Sequence, residues 1–290
     1  QRSISFKEGF DPEGGISRLA KKELFELIDS IKEENKEALI KTYATGIFRK
    51  LTHEARISFI DEFFQRTGLF FNIISQDLEN FYLEMALIGK CSLNEPILLI
   101  IIGGRSTELV VIYGKEAIER KNIDFGVGAI NTKFPEINQS ISGVELEKVV
   151  EFVKEILPNL LNNPKIAFYT GGELTYVRLA NYPLKKNDLF EDEDHPFLIS
   201  ITDFINKNKE IFEKIKLEEL EILMPNNPQW MHGARACSAI AQAICEKYNI
   251  ETIILSDSNI INGVVRQEFR YVTISGSFRK HLDYILKVKK

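Results

Sequence analysis

An α/β fold is the class this sequence predicts, and three observations carry the prediction. Helical and extended patterns alternate through residues 16–89. The aliphatic run Pro96–Gly103 has the length of a buried strand and opens a series of short strands set off by glycine turns. Helix–strand alternation then resumes as far as residue 256, the arrangement of a layered α/β domain.

Taken in order, residues 16–36 read as a helix, with Leu24, Leu27, Ile28 and Ile31 at helical spacing among Lys and Glu. Ala38–Ala44 is a short strand. A second helix spans about 52–66, with Ile57, Ile60 and Phe64 on its apolar face and Gly68 as its stop. Leu69–Ile74 reads as a buried strand, and Ser75 is placed to cap a helix that runs to Gly89. Ile97–Ile102, Glu108–Tyr113 and Ala117–Phe125 form a meander. Helices follow at about 143–157 and 173–181, on either side of a strand at Lys165–Tyr169. Residues 184–196, KKNDLFEDEDHPF, read as a solvated loop. A polar helix at 202–215 and an alanine-rich helix at 229–248 precede a strand at Glu251–Ser256. The change of pattern near Gly89–Glu95 marks the expected boundary, giving parts at 1–92 and 93–268 and a tail at 269–290.

Composition narrows the function classes. The 290 residues are 44% hydrophobic and 27% charged, ordinary globular values, with a formal net charge of −5. That balance argues against a chain-wide nucleic-acid footprint. No apolar run approaches the roughly 18 residues of a membrane span. The three cysteines are widely spaced and the four histidines scattered, so neither a disulfide framework nor a CxxC or HExxH metal site is indicated. Cytoplasm is the default compartment. The chain begins at Gln1 and not Met, which reads as a fragment and weakens any argument from a missing targeting signal.

The residues with chemistry lie in five segments. Ile100–Val110, IIIGGRSTELV, ends a strand in Gly103-Gly104, and Ser106 and Thr107 add hydroxyls. Glycines let a backbone approach an anion, and successive amides can form an anion-binding nest. Taken alone, such a turn is most often a hairpin. ATGIFRKL (44–51) places Thr45 and Arg49 after a strand. IISQDLENFYLEMALIG (73–89) places Glu79 in the first turn of a helix, a position the helix dipole favours for any acid. FYTGGEL (168–174) carries the second glycine pair, Gly171-Gly172, and LSDSNIINGVV (255–265) ends a strand in a polar loop.

In this order and spacing the segments resemble the motif series of the exopolyphosphatase/guanosine-pentaphosphatase (Ppx/GppA) family, in the actin-like two-lobed ATPase superfamily. The opening, with Glu8-Gly9-Phe10 and Gly14-Gly15-Ile16-Ser17, is similar to that family's entry to its first helix. The resemblance covers about residues 5–265. It implies an actin-like (ribonuclease H-like) fold with a ligand cleft between two lobes. It also implies hydrolysis of terminal phosphoanhydrides of polyphosphate or guanosine penta- or tetraphosphate, with Mg²⁺ as cofactor. Residue by residue, Arg49 matches a phosphate-holding arginine, a role suited to a bidentate guanidinium. Glu79 matches the glutamate that orients or deprotonates the attacking water. Gly103, Gly104, Ser106 and Thr107 match a phosphate loop, Glu108 that loop's acidic residue near the metal, and Gly171 and Gly172 the later glycine turn. Members of the family often pair, so a homodimer is an expected assembly.

Three departures qualify the transfer. Ile101 stands where the pattern has an acidic residue, and isoleucine cannot serve as a hard-oxygen Mg²⁺ ligand. Arg105 replaces the loop's third glycine. The family's opening strand and first phosphate loop do not precede Gln1. The expectation is therefore an enzyme of impaired activity, with Arg105 joining Arg49 in binding phosphate. The alternative is a non-catalytic phosphate or nucleotide sensor regulating a fused nucleotide-processing domain, and a third reading is an actin-like interaction module. Elsewhere, His195 is expected to be solvated, His232 structural, and Cys237 and Cys245 packing residues. Trp230 is expected in the core, with stacking on a base as the alternative. The tail Tyr271–Lys290 reads as strand, Gly276–Arg279 turn and helix. It resembles the opening of nucleoside 2-deoxyribosyltransferase-like domains, which implies a fused α/β domain; circular permutation of the first strand is the competing explanation.

Overall fold

The computed structural model describes residues 4–171 and 173–273, with 268–273 described through their backbone. The chain divides into two compact units, Gln1–Phe81 and Tyr82–Lys290. The predicted alternation is present, with corrections at particular elements.

The first unit contains α1 (Arg18–Glu34), β1 (Thr42–Ala44), a 3₁₀ turn at Gly46–Lys50, α2 (His53–Thr67), β2 (Phe71–Ile73) and the start of α3 (Gln76–Ile88). Ser17 caps α1 by accepting the Ala20 N–H at 3.2 Å. Strands β1 and β2 pair in parallel, Thr42 opposite Phe71 and Ala44 opposite Ile73. The core is aromatic: Phe48, Phe59 and Phe63 surround Phe71 with ring centroids 4.9, 4.9 and 4.7 Å from it. This arrangement corrects the predicted face of α2. Phe59 and Phe63 are buried, while Ile57 and Phe64 are 46% and 43% exposed. Both pairs satisfy helical spacing, and the larger rings are the ones that meet Phe71. Ile60 packs at the edge of this cluster.

The second unit is built on a seven-stranded sheet. Its strands are β3 (Ile97–Ile102), β4 (Thr107–Tyr113), β5 (Glu116–Ile123), β6 (Ile166–Thr170), β7 (Lys185–Lys186), β8 (Phe197–Ser200) and β9 (Thr252–Ser256). The order is β5-β4-β3-β6-β9-β8-β7. The predicted meander forms one antiparallel edge, and β3, β6 and β9 run parallel through the middle. The central strands are buried on both faces, as parallel strands require, and Leu98, Leu99 and Ile100 have no exposure. The helices are α4 (Val127–Lys133), α5 (Leu146–Ile156), α6 (Glu173–Leu179), α7 (Ile201–Glu213), α8 (Leu217–Ile222), α9 (Ala234–Lys247) and α10 (Ile260–Thr273). Helix α9 packs on α5 and α7, and its Ala236, Ala239 and Ala243 have no exposure, in keeping with the close packing its small residues predict.

The division between units falls inside α3, earlier than the predicted 89–95. Tyr82–Ile88 belong with the second unit: Arg266 donates to the Met85 and Ala86 carbonyls, Arg120 pairs with Glu84, and the backbone of Tyr82 lies directly against Gly263. In the tail, Tyr271–Thr273 continue α10 and do not begin a strand. The Gly276–Arg279 turn lies outside the described residues. Among the described residues no helix is long and apolar enough to cross a membrane.

The largest correction is at 184–196, which is solvated only in part. Phe190, Asp192 and His195 are buried, and Phe190 and His195 cover the sheet face that carries Phe168. His195 Nδ1 lies 2.8 Å from Asp192 Oδ2 and its Nε2 lies 2.9 Å from Ser256 Oγ. Burial pushes the Asp192 carboxyl up, but His195, the Asp194 N–H and the Arg266 charge outweigh it and hold the group below the usual aspartate range. Within the acidic run Asp192 is buried against the sheet with Lys90 and Arg266 beside it, and Asp194 pairs with Arg266, while Glu191 and Glu193 are exposed. His195→Ala strands both Asp192 and Ser256. It should cost roughly 1–3 kcal/mol for each partner left alone, read as a lowered urea midpoint. For Asp192 the lowered value means the stabilisation is present at neutral pH and is lost as pH falls through the folded value.

Candidate active site

In the first unit the two predicted catalytic residues come together. Arg49 sits on the 3₁₀ turn after β1, and Glu79 in the first turn of α3 after β2, so the parallel pairing of β1 and β2 brings their following segments side by side. Ser75 caps α3 through the Leu78 N–H at 3.2 Å, as predicted. Arg49 Nη1 donates to Glu79 Oε2 at 2.6 Å and to the Ile74 carbonyl at 3.3 Å, while Nη2 donates to Gln76. Arg56 braces the turn from behind by donating to the Arg49 and Leu51 carbonyls at 3.0 and 3.2 Å. About a quarter of each side chain is exposed, 24% for Arg49 and 27% for Glu79. A cation and a carboxylate are therefore held in register and open to solvent, a geometry able to receive a phosphate and a water. The outer face of α2 carries an open depression of about 860 Å³, but it is one helix's surface and contains none of the motif residues.

In the second unit the Gly103–Ser106 turn joins β3 to β4, closed by a hydrogen bond from the Gly103 N–H to the Ser106 carbonyl at 2.8 Å. Gly103, Gly104, Arg105 and Ser106 are all exposed. The segment after β5 holds this turn: Val127 N–H donates to the Gly103 carbonyl at 3.1 Å and Gly128 N–H to the Gly104 carbonyl at 2.9 Å. Gly126 permits the approach. A Cβ there would overlap the Gly103 carbonyl and lie 2.9 Å from the amide nitrogens of both Arg105 and Ser106. Thr107 departs from expectation. Its side chain is buried, and its hydroxyl donates to the Phe125 carbonyl at 2.8 Å, fastening the turn to the segment after β5.

Gly171 follows β6 with φ of +136°, a backbone that L side chains rarely adopt. Gly172 lies outside the described residues. The polar loop after β9 meets this turn, as the order of motifs implies. Thr170 donates its hydroxyl to the Ser258 carbonyl at 2.7 Å, and Asp257 accepts from the Thr175 N–H at 2.9 Å and from the Thr175 hydroxyl at 2.6 Å. Between the two glycine turns lies a cleft of about 450 Å³. Gly103, Gly104, Gly128, Gly171, Glu173, Trp230, His232 and Cys237 contribute to its lining. Trp230 packs on Tyr176 at 6.0 Å between centroids while also reaching the cleft. His232 is paired with Glu221 at 2.6 Å.

Sequence reasoning missed Glu173, Cys237, Gly126 and Gly128. Glu173 is 4% exposed. Burial pushes its carboxyl up to about 7, only partly opposed by the Cys237 thiol and Tyr169 hydroxyl, and the Asp257 charge adds to the rise. Cys237 donates weakly to Glu173 Oε1 at 3.6 Å, and burial pushes its own thiol well up, so it is no thiolate. The available signals were the Gly-x-Gly at 126–128 directly after a strand, and an acid directly after a diglycine.

The donor set does not fit a hard divalent cation. Glu108 stands directly across the strand pair from Ile101, so an apolar side chain occupies the place of a second carboxylate. Among the described residues no group of three or more His, Cys, Asp or Glu side chains is arranged to hold a metal ion.

The turn geometry makes a prediction. Gly126→Ala should force the 103–106 turn away from the 126–128 segment. Overpacking of this kind costs ~1–3 kcal/mol, and inorganic phosphate binding should weaken in the same variant by calorimetry, while Gly114→Ala in the exposed β4–β5 turn leaves phosphate binding unchanged.

Comparison with known proteins accords with this architecture. Residues 1–271 match the model of the Ppx/GppA phosphatase family. The chain superposes on a solved Aquifex aeolicus PPX-GPPA enzyme with a TM-score of 0.67 at 18% identity, over 87% of this chain and 84% of that one. It superposes on an exopolyphosphatase from Cytophaga hutchinsonii with a TM-score of 0.67 at 14% identity, over 92% and 87%. A comparison with curated proteins gives no match. With the motif residues seated at strand ends in the order of that family, and the family model spanning nearly the whole chain, this protein belongs to the Ppx/GppA phosphatase family, with its two-lobed actin-like α/β fold.

Proposed function

We propose that this chain is a phosphohydrolase acting on the terminal phosphoanhydride of polyphosphate or of guanosine penta- or tetraphosphate, with reduced turnover. The Arg49–Glu79 pair carries the reading, because the two residues at the family's catalytic positions are in contact at 2.6 Å and open to solvent. Glu79 takes a proton from water as the water oxygen bonds to the terminal phosphorus. The bridging P–O bond breaks, its electrons stay on the shortened anhydride, and inorganic phosphate leaves. Arg49 neutralises charge on the phosphoryl oxygens, for which its carboxylate partner is exchanged. In the second unit, the 103–106 turn and Gly171 offer backbone to a phosphate group, and Arg105 adds a cation beside that turn. Ile101 supports the reduced turnover, since it removes from the Glu108 neighbourhood the carboxylate that a bound Mg²⁺ would need.

The same isoleucine favours the second reading, a phosphate or nucleotide sensor that binds without turnover. Phosphate release from polyphosphate and from guanosine pentaphosphate separates the two. For a hydrolase, Glu79→Gln should lower kcat by about 10²–10⁴ with little change in KM, and Arg49→Ala should lower both kcat and affinity. Binding of either substrate by calorimetry with no release establishes the sensor. A complementary gain is expected from Ile101→Asp, which places a carboxylate opposite Glu108. Mg²⁺-dependent release should rise at least about tenfold, or ~1.4 kcal/mol, and an unchanged rate would show that position 101 does not limit turnover.

A further inference from the structure

The cleft of the second unit is lined in part by Gly103 and Gly104 of one glycine turn and Gly171 of the other, and Glu173, the carboxyl group among its described lining residues, is almost wholly buried. Glu173 follows Gly171, and a Cβ on Gly171 would lie 3.5 Å from Glu173 Oε1, so the carboxyl sits beneath the turn. The groups facing Glu173 are the Tyr169 hydroxyl from β6, Tyr176 from α6, the Cys237 thiol from α9 and the Asp257 carboxylate from the loop after β9. None of these supplies positive charge. His232 lines the cleft as well, bound to Glu221, and among the described residues that line it none is Lys or Arg. An ionised Glu173 would therefore face an anionic ligand with no Lys or Arg among the described lining residues to offset the repulsion; Arg105, on the exposed 103–106 turn, is not among them. A carboxylic acid in the same place offers an O–H donor beside the amides of the glycine turns.

We propose that Glu173 is a specificity-determining residue of this cleft, donating a hydrogen bond to a phosphoryl oxygen as the neutral acid and admitting the ligand only while it keeps its proton. The inference rests on the reading of the cleft as a phosphate site and extends it to a residue that the motif series does not mark. Burial supports the protonated state by raising the carboxyl to about 7. Affinity should then be full below that value and fall as pH rises through it, because only the protonated fraction is competent to bind. Between pH 6 and pH 8 that fraction drops about tenfold.

The test is calorimetric binding of inorganic phosphate to the full chain at pH 6 and pH 8, for the wild type and for Glu173→Gln, which carries a permanent N–H donor in nearly the same shape. The ionisation of phosphate itself is common to both proteins and cancels in the ratio. The wild type should lose about tenfold more affinity than the glutamine variant across this interval. Parallel profiles overturn the proposal, as does an absence of phosphate binding to the wild type at both pH values. A second measurement needs no variant: the infrared carbonyl band of a protonated carboxyl should persist to higher pH when phosphate is saturating. Failure of that band to respond to phosphate also overturns the proposal. Turnover is read separately. Loss of hydrolysis with the pH-linked binding intact removes the hydrolase reading and leaves this inference standing.

Discussion

The second unit's site depends on one backbone-to-backbone contact, the seating of the Gly103–Ser106 turn on the Gly126–Gly128 segment. Two N–H donors at Val127 and Gly128 fix the carbonyls of Gly103 and Gly104, and the missing Cβ of Gly126 lets the amides of Arg105 and Ser106 come close. Thr107 reinforces the join through Phe125. Carbonyls satisfied in this way turn away from a ligand, so an anion meets the glycine backbone with less opposing dipole. The neighbouring segment thus satisfies the Gly103 and Gly104 carbonyls.

Around this contact the fold spends polar residues on positioning. Arg235 has no exposure and donates to the carbonyls of Ile137, Gln139, Ser140 and Ile215 at 2.7–2.9 Å, which secures the chain after α4. On the opposite sheet face, Asp192, His195 and Ser256 form a hydrogen-bonded series with the residue types of a serine hydrolase triad. It is closed to substrate: Ser256 and His195 have no exposure, and Ser256 Oγ also accepts the Ser258 N–H at 3.0 Å. Its consequence is positional, because Ser258 in turn receives the Thr170 hydroxyl beside the Gly171 turn. A triad is defined by access and geometry, and here only the geometry is present.

The two units carry different electrostatics. The first presents an exposed guanidinium and carboxylate in contact, suited to charge neutralisation and proton removal. The second presents a cleft of glycine backbone, an indole, an imidazole and a buried carboxyl, with no Lys or Arg among its described lining residues. Isoleucine at position 101 stands directly across from Glu108, where an apolar side chain cannot ligate a divalent cation.

How much of this was legible beforehand follows from how local each signal is. Hydrophobic periodicity, the cap at Ser75 and the glycine stop at Gly68 depend on a few neighbouring residues, and those elements formed where expected. The motif order placed Arg49, Glu79, the 103–106 turn and Gly171, because strand ends dictate where a turn exposes its backbone. Other outcomes needed distant partners. The apolar face of α2 was chosen by Phe71, from another element, and Asp192 in the acidic loop became buried because His195 and Arg266 were brought to it. Thr107 lost its hydroxyl to Phe125, and Glu173 became a buried acid because Cys237 and Tyr169 closed over it. The sequence by itself determined the α/β order and the strand-end positions of the motif residues, since these rest on local spacing. Tertiary structure alone decided which polar groups are buried and what charge they hold, since desolvation and pairing depend on contacts between residues far apart in the chain.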